Sequence, residues 1–129
     1  MILNYVAGVV QCRYMLAKPF RLNADKDYAR LFAKGRAFHA RGITMKAMKS
    51  KIEATKVGFV VSTKVAKKAN VRNLIKRRMR EIVRKHYAQI ESGLDIAFMA
   101  RVESKSMDFA EIEKSILELL WKSGILPRK

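Results

Sequence analysis

Residues 64–85 read KVAKKANVRNLIKRRMREIVRK, and this stretch decides how the rest of the chain is interpreted. It contains ten Lys and Arg residues and one Glu, a net charge of +9, which is more than half of the +17 carried by the whole chain. Its apolar residues recur at helical spacing, and its basic residues cluster on the opposite side. The stretch therefore predicts a long helix that packs one face on a sheet and presents the other as a row of cationic donors.

The two faces of this predicted helix differ in chemistry. A helical projection gives an apolar face of Val71, Ile75, Met79, Ile82, Val83 and His86, and an opposite face of Asn73, Lys76, Arg77, Arg80 and Arg84. We expect the helix to begin at an Asn70 cap and to end near Glu91. Acidic partners one turn away are nearly absent, so the repulsion among the cations goes uncompensated. Because Arg guanidinium groups match phosphate oxygens in pairs, the helix favours a bound polyanion over a merely solvated face.

The composition of the whole chain indicates one folded domain with a polyanionic partner. The chain has 129 residues, of which 50% are apolar, with 28 Lys and Arg against 11 Asp and Glu and a sequence pI near 10.4. A charge of this size bears on partners rather than on topology. Nucleic acid is the first candidate partner, followed by an anionic membrane surface and an acidic protein.

The N-terminal region and the cysteine count exclude several classes of protein. The single cysteine, Cys12, excludes an internal disulfide framework and a multi-thiolate metal site, and it favours the cytoplasm. The longest apolar stretch, Met1 to Val10, is shorter than the ~20 residues of a membrane-spanning helix. It also lacks the features of a signal peptide. We expect 1–17 to be an N-terminal extension, either disordered or an over-called start with Met15 as initiator, and 18–129 to be a single domain.

Upstream of the basic helix, periodicity predicts one helix and two strands. The first helix runs from an Asn23 cap to about Ala33, and Gly35 stops it. Its apolar stripe consists of Tyr28, Leu31 and Phe32. Alternation predicts a strand over 42–48, and a continuous β-branched run predicts a second strand over 57–61 that is covered on both faces.

Downstream, the pattern predicts one more strand and a last helix. The strand covers 95–102, with one side formed by Ile96, Phe98, Ala100 and Val102. Asp108 and Glu111 have the spacing of a capping box. The helix that they open buries a face of Phe109, Ile112, Ile116, Leu119 and Leu120, and Gly124 and Pro127 close it.

Several of these segments together resemble a known family. GFVVSTK at 58–64 is followed after seven residues by RNLIKRRMRE at 72–81, with YARLFAKG at 28–35 upstream and GLD at 93–95 and AR at 100–101 downstream. In this order and spacing they resemble the protein subunit of bacterial ribonuclease P, over about residues 20–121. The chain departs from the family pattern at one position, since Leu74 stands where the family motif usually carries a third Arg.

The resemblance implies an α/β fold, more narrowly an α+β sandwich. Helices pack on a central, mostly antiparallel four-stranded sheet, and the basic helix joins two parallel strands by a left-handed β-α-β crossover, an exception to the usual handedness. Since periodicity alone predicts three strands, the resemblance places the fourth around Ala37 to Arg41.

The resemblance also implies a function, the maturation of the tRNA 5′ end. The protein would bind the catalytic RNA subunit and the 5′ leader of precursor tRNA in a cytoplasmic endoribonuclease whose chemistry is carried by the RNA. Mg²⁺ would be held mainly by the RNA, without an organic cofactor and without catalytic or metal-binding residues on the protein. This agrees with a sequence in which His39 has no identifiable partner and His86 lies on an apolar face.

Two sets of site residues follow from the resemblance. The set that would dock on the catalytic RNA, here called the crossover surface, is Lys64, Lys67, Lys68, Arg72, Asn73, Lys76, Arg77 and Arg80. The leader would bind in a cleft at Tyr28 and Phe32, where aromatic rings stack on unpaired bases with little sequence preference. The alternative for these two rings is that both are ordinary core residues.

Two other classes of function share the charge of this chain. A non-enzymic RNA-binding module of the ribosomal-protein type needs the basic face but no leader cleft. A basic peripheral membrane protein needs large exposed apolar residues beside the basic ones, whereas the apolar face of the long helix is accounted for by the sheet. We therefore expect no membrane partner.

Overall fold

The computed structural model of the chain describes residues 25–50, 55–90 and 93–126. Its helices are α1 (Asp25–Lys34), α2 (Ala69–His86) and α3 (Phe109–Lys122), and its strands are β1 (Arg36–Ala40), β2 (Ile43–Lys49), β3 (Lys56–Val60) and β4 (Leu94–Ala100). Two short 3-10 turns, Tyr87–Gln89 and Val102–Ser106, follow α2 and β4. The predicted α+β class and the predicted order of elements are confirmed.

The four strands form one sheet in the order β1-β2-β4-β3. β2 pairs antiparallel with β1 and with β4, whereas β3 pairs parallel with β4, so α2 is the crossover between two neighbouring parallel strands. β1 confirms the fourth strand expected around Ala37 to Arg41. Periodicity could not reveal β1, because Ala40 is its only buried residue.

β1 is an edge strand with cationic side chains close to it. The Arg36 guanidinium lies 5.3 Å from the centroid of the Phe38 ring. Lys122, in the last turn of α3, donates a hydrogen bond of 3.1 Å to the main-chain oxygen of His39. Two cations, Arg36 and Lys122, therefore lie beside this edge strand.

The main core lies between the sheet and the layer formed by α2 and α3. The sheet contributes the alternate residues of β2 and β4 that face this layer, which are Ile43, Met45, Ala47, Leu94, Ile96, Phe98 and Ala100. The predicted alternation of β2 is therefore confirmed. The opposite face of the sheet carries α1, whose Leu31 is buried against Ala97 of β4 and beside Tyr28 and Met48.

Two further contacts fix α1 on the sheet. Arg30 Nη2 lies 2.9 Å from the carboxylate of Asp95, which is 2% exposed. Gly35 ends the helix by donating its N–H to the Leu31 oxygen at 2.7 Å. A Cβ atom at Gly35 would lie 2.5 Å from that same oxygen, so the glycine is required for close approach and not for a left-handed conformation. The predicted cap, Asn23, lies outside the described residues.

Two predicted boundaries of α2 are wrong. The helix begins at Ala69 rather than behind an Asn70 cap, and Lys68 occupies the capping position without a side-chain hydrogen bond. It ends at His86 rather than near Glu91. The buried hydroxyl of Tyr87 donates to the Thr55 oxygen at 2.7 Å, and this non-local contact holds the chain where it leaves the helix.

The predicted end of the last strand is also wrong. β4 stops at Ala100, and Val102, expected on its buried side, is 60% exposed in the following 3-10 turn. The reason lies in the β1–β2 hairpin, because the Arg101 N–H donates to the Gly42 oxygen and the Arg101 guanidinium donates to the Ala40 oxygen. These contacts turn the chain away from the sheet at Arg101, so Val102 does not reach the buried side of β4.

The predicted start of α3 is confirmed, and so is most of its predicted apolar face. Asp108 accepts from the Glu111 N–H at 2.9 Å, and the Glu111 carboxylate accepts from the Asp108 N–H at 3.0 Å, which is the expected capping box. The predicted apolar face is buried except for Phe109, which is 37% exposed. Gly124 follows the helix at φ +78°, and Pro127 lies outside the described residues. In the described part of the chain, no helix is long and apolar enough to cross a membrane.

The capping box predicts a measurable contribution of Asp108 to stability. Asp108→Ala removes the acceptor for the Glu111 N–H and should lower the free energy of unfolding by about 1 kcal/mol, as measured by urea denaturation. Asp108→Asn keeps an oxygen acceptor at the same position and should retain most of that stability. Equal losses in both variants would contradict a role for the hydrogen bond itself.

Candidate RNA interface

One face of α2 is held firmly by the core. Ile75, Met79, Ile82 and Val83 are buried, as the helical projection predicts. Val71 is half-buried and packs against the same cluster. Since this face is fixed on the sheet, the residues on the opposite side of the helix point away from the protein.

The residues of the crossover surface lie together, on the loop after β3 and the first three turns of α2. Lys64, Lys67, Lys68, Asn73 and Arg77 are exposed, and Arg72, Lys76 and Arg80 are half-buried. Within residues 25–50, 55–90 and 93–126, the four lysines of this surface and Arg77 form no ion pair. The surface therefore presents several uncompensated positive charges side by side.

The last turns of α2 have a different electrostatic environment. Arg84 pairs with Glu81 on the same helix, and Lys85 Nζ lies 2.7 Å from a carboxylate oxygen of Glu113 on α3. The hydrogen bond from Lys85 holds the pKa of the Glu113 carboxyl below its usual range. Acidic partners are thus found in the last turns of α2, after the residues of the crossover surface.

His86 belongs to this helix–helix contact. Its side chain is 23% exposed, and its Nε2 atom lies 3.6 Å from the Glu113 carboxylate. This position agrees with the packed role expected from the apolar face of α2. Sequence periodicity could not find Glu113 as its neighbour, because the two residues are 27 positions apart on different helices.

Arg72 differs from the other residues of the crossover surface in its contacts within the protein. Its Nη1 atom donates to the main-chain oxygens of Ala66 at 3.0 Å and of Lys67 at 2.8 Å. The guanidinium therefore bridges the first turn of α2 and the preceding loop. The sequence pattern predicted only a phosphate donor at this position.

Leu74 interrupts the basic row without joining the core. It is half-buried on α2, and it belongs to neither of the two buried apolar clusters. Leu74 therefore lies to the side of the packed face of α2, where it replaces a charge and adds nothing to the core.

The two rings predicted for the leader cleft lie on the opposite face of the sheet, on α1. Their centroids are 5.8 Å apart, with planes inclined at 43°. Tyr28 is half-buried beside Leu31, and burial raises the pKa of its hydroxyl. Phe32 is 41% exposed. The alternative that both rings are core residues therefore fits Tyr28 in part and does not fit Phe32.

Lys46 joins this pair of rings from β2, and sequence analysis missed it. Its Nζ atom donates to the Phe32 oxygen at 2.7 Å and lies 5.6 Å from the centroid of the Phe32 ring. The alternation of β2 placed Lys46 on the face away from the main core, which is the signal that could have identified it. An aromatic ring and an ammonium group are thus presented together beside α1.

The same face of the sheet continues as a shallow polar and apolar floor. Thr44, Met99 and Val60 are half-buried neighbours in the strand register, next to one another across β2, β4 and β3. His39, for which the sequence suggested no partner, has its Nδ1 atom 3.2 Å from the Thr44 hydroxyl. We call α1 with Lys46 and this floor the α1 cleft.

The described residues of these two surfaces offer basic and aromatic groups that suit a nucleic acid ligand. Within the described part of the chain, no three His, Cys, Asp or Glu side chains come together as a metal site. What the arrangement can do is bind phosphates at the crossover surface and stack unpaired bases in the α1 cleft.

Comparisons with known proteins identify the family to which the chain belongs. A sequence model of the family Ribonuclease P matches residues 16–124. The ribonuclease P protein component of Clostridioides difficile is 35% identical over 105 residues, which cover 81% of this chain and 91% of that protein. That of Dehalococcoides mccartyi is 36% identical over 108 residues, which cover 84% and 88%.

Solved structures agree with the sequence comparisons. The ribonuclease P protein of Staphylococcus aureus superposes with a TM-score of 0.77 at 29% identity, covering 83% of this chain and 97% of that one. The ribonuclease P protein of Thermotoga maritima gives a TM-score of 0.72 at 28% identity, covering 79% and 96%. The family match, the relatives and the shared fold lead to one conclusion: the chain belongs to the family of ribonuclease P protein components.

Proposed function

We propose that this chain is the protein subunit of a ribonuclease P that removes the 5′ leader of precursor tRNA. The observation that carries the proposal is the crossover surface, an uncompensated cationic face on a fold shared with ribonuclease P proteins. The four lysines and Arg77 of this surface form no ion pair in the described part of the chain, so they gain most from a ligand that brings regularly spaced negative charges. The cytoplasm is the proposed compartment.

The crossover surface is the proposed docking site for the catalytic RNA. Successive turns of α2 rise about 5.4 Å, which is close to the distance between neighbouring phosphates along a nucleic acid strand. Asn73, Lys76 and Arg77 project from these turns, and the lysines of the preceding loop extend the row. Binding would replace mutual repulsion among the cations with ion pairs to phosphates.

The cleavage chemistry is proposed to belong to the RNA subunit. The cationic crossover surface disfavours a divalent cation, and the described residues provide no cluster of ligands for one. Mg²⁺ held mainly by RNA phosphates would supply an activated water. The protein would contribute by binding and orienting the two RNA molecules, and no organic cofactor is required.

The α1 cleft is the proposed site for the single-stranded leader. The exposed ring of Phe32 can stack on an unpaired base, and Lys46 stands where a backbone phosphate of the same strand can reach it. The cleft lies on the α1 face of the sheet, whereas the helical part of the crossover surface lies on the α2 face. One sheet would thus separate leader binding from docking on the catalytic RNA.

A processing assay tests the proposed function. Precursor tRNA and a bacterial ribonuclease P RNA are combined at low Mg²⁺, with and without this protein, and release of the leader is measured. We expect the protein to restore cleavage, because it adds binding energy for both RNAs. Protein that binds RNA but does not restore cleavage would favour a non-enzymic module of the ribosomal-protein type instead.

The crossover surface predicts a steep salt dependence of binding to the catalytic RNA. If it neutralises about 6–8 phosphates, the logarithm of the affinity should fall against the logarithm of salt concentration with a slope of roughly −5 to −7. Lys76→Ala and Arg77→Ala should each make the slope shallower by nearly one unit, in filter-binding titrations at several salt concentrations. Lys114→Ala, which removes an exposed charge from α3, is the matched control and should leave the slope unchanged. Unchanged slopes for Lys76→Ala and Arg77→Ala would contradict the assignment.

The α1 cleft predicts a loss of leader recognition when its exposed ring is removed. Phe32→Ala should reduce the preference for precursor over mature tRNA by about 1–3 kcal/mol, measured as the ratio of the two affinities with the catalytic RNA saturated by protein. Tyr28→Ala should act in the same direction, provided that a thermal melt shows it folded, because half of its ring is buried.

Phe109 provides the control for this experiment. It is 37% exposed, close to the 41% of Phe32, but it lies on α3 behind the opposite face of the sheet. Phe109→Ala should therefore leave the preference for precursor tRNA intact. If folded Phe32 and Tyr28 variants also keep the full preference, the leader binds elsewhere.

A further inference from the structure

We propose that Arg72 is a positioning residue, which fixes the lysine-bearing loop at 64–68 and acts on the RNA through Lys67 and Lys68. The proposal rests on the docking of the catalytic RNA at the crossover surface. It assigns Arg72 a different role from Arg77, which the sequence pattern had grouped with it as a direct phosphate donor.

The contacts of the guanidinium support this role. Both bonds of Arg72 Nη1 go to main-chain oxygens of the loop, at 3.0 Å to Ala66 and 2.8 Å to Lys67. A guanidinium has five N–H donors in a fixed planar arrangement, so two bonds from one nitrogen also fix the orientation of the group. One of the two terminal nitrogens of the side chain is thus already engaged within the protein.

The loop has few other restraints among the described residues. Val65 and Ala66 are buried, and the Val65 N–H donates to the Ser62 oxygen at 3.1 Å. Lys68 precedes α2 without a side-chain cap. The Lys68 oxygen accepts from the N–H groups of Val71 and Arg72 as α2 begins. The Arg72 guanidinium adds a side-chain restraint just before that point, at Ala66 and Lys67, directly beside the exposed lysines.

The charges on the loop explain why such a restraint matters. Lys64, Lys67 and Lys68 repel one another and form no ion pair within the described residues. Without a restraint, a flexible loop can relieve this repulsion by spreading its ammonium groups apart. Holding the loop in one conformation before RNA arrives removes an ordering cost from binding.

Affinity measurements in two backgrounds test the proposal. Arg72→Ala and, as matched control, Arg77→Ala are each made in the natural sequence and in the Lys67→Ala, Lys68→Ala background, and binding to a bacterial ribonuclease P RNA is measured. Each lost phosphate contact costs roughly 5- to 10-fold in affinity near 0.1 M salt. We expect Arg72→Ala to lower affinity by about this factor in the natural sequence and less than about twofold once the lysines are gone, whereas Arg77→Ala should cost the same in both backgrounds.

The outcomes distinguish failure of this proposal from failure of the proposed function. If Arg72→Ala costs the same in both backgrounds, Arg72 contacts RNA directly and the positioning role is overturned. If neither Arg77→Ala nor the double lysine substitution changes affinity, the crossover surface is not the docking site for the catalytic RNA, and that part of the proposed function fails together with this inference.

A second measurement needs no RNA. Amide NMR order parameters of residues 64–68 in the free protein should fall below about 0.6 in Arg72→Ala, while those of 75–86 stay near the value of a rigid helix. Arg72→Lys keeps a charge on a side chain one bond shorter, so we expect a mobile loop and an affinity close to that of Arg72→Ala. A loop that stays rigid in Arg72→Ala overturns the proposal, and so does an Arg72→Lys variant with a mobile loop and full affinity.

Discussion

Burial of one face of α2 against the sheet is the constraint on which the other features of this protein depend. Ile75, Met79, Ile82 and Val83 are buried, and each such side chain contributes roughly 1.5–3 kcal/mol. Repulsion between like charges one helical turn apart opposes the helix by only about 0.2–0.5 kcal/mol for each pair. The apolar face can therefore hold a row of uncompensated cations in place, and those cations remain available for a polyanion.

The sheet separates two surfaces of the protein, because helices pack on both of its faces. Its β2 and β4 strands expose large apolar residues to α2 and α3 on one side and a mixed face to α1 on the other. On the α1 side, the ion pair of Arg30 with the buried Asp95 and the close approach at Gly35 fix the helix that carries Phe32. The crossover surface and the α1 cleft thus share no residues, although both belong to one small domain.

Local patterns in the sequence were sufficient for much of this architecture. The alternation in β2, the packed face of α2 and the capping box at Asp108 depend on residues a few positions apart, and each has the predicted form. The family resemblance added β1, whose exposed residues leave no periodic signal. The wrong boundaries at Glu91 and Val102 lie where contacts from distant segments, Tyr87 to Thr55 and Arg101 to Ala40, override local preference.

In the candidate site, too, local patterns predicted some features and did not predict others. The cationic row and the two rings of α1 could be located from spacing and resemblance, but the bond from Lys46 to the Phe32 oxygen and the bonds from Arg72 to the loop could not. Both sets of bonds join a side chain to main-chain oxygens, which every residue has, so the residue types in the sequence do not reveal them. Periodicity places a side chain on a face, and it says nothing about which carbonyl the side chain will reach.

The cations along β1 bear on how this protein behaves before it meets any RNA. An unpaired edge strand can recruit a second copy of the chain by main-chain hydrogen bonding, and lysine or arginine side chains along such an edge oppose that pairing. Arg36 stands over Phe38, and Lys122 occupies a main-chain oxygen of the strand at His39. Positive charge beside β1 thus disfavours pairing of this edge with a strand of a second copy, a consequence of the basic composition that is separate from RNA binding.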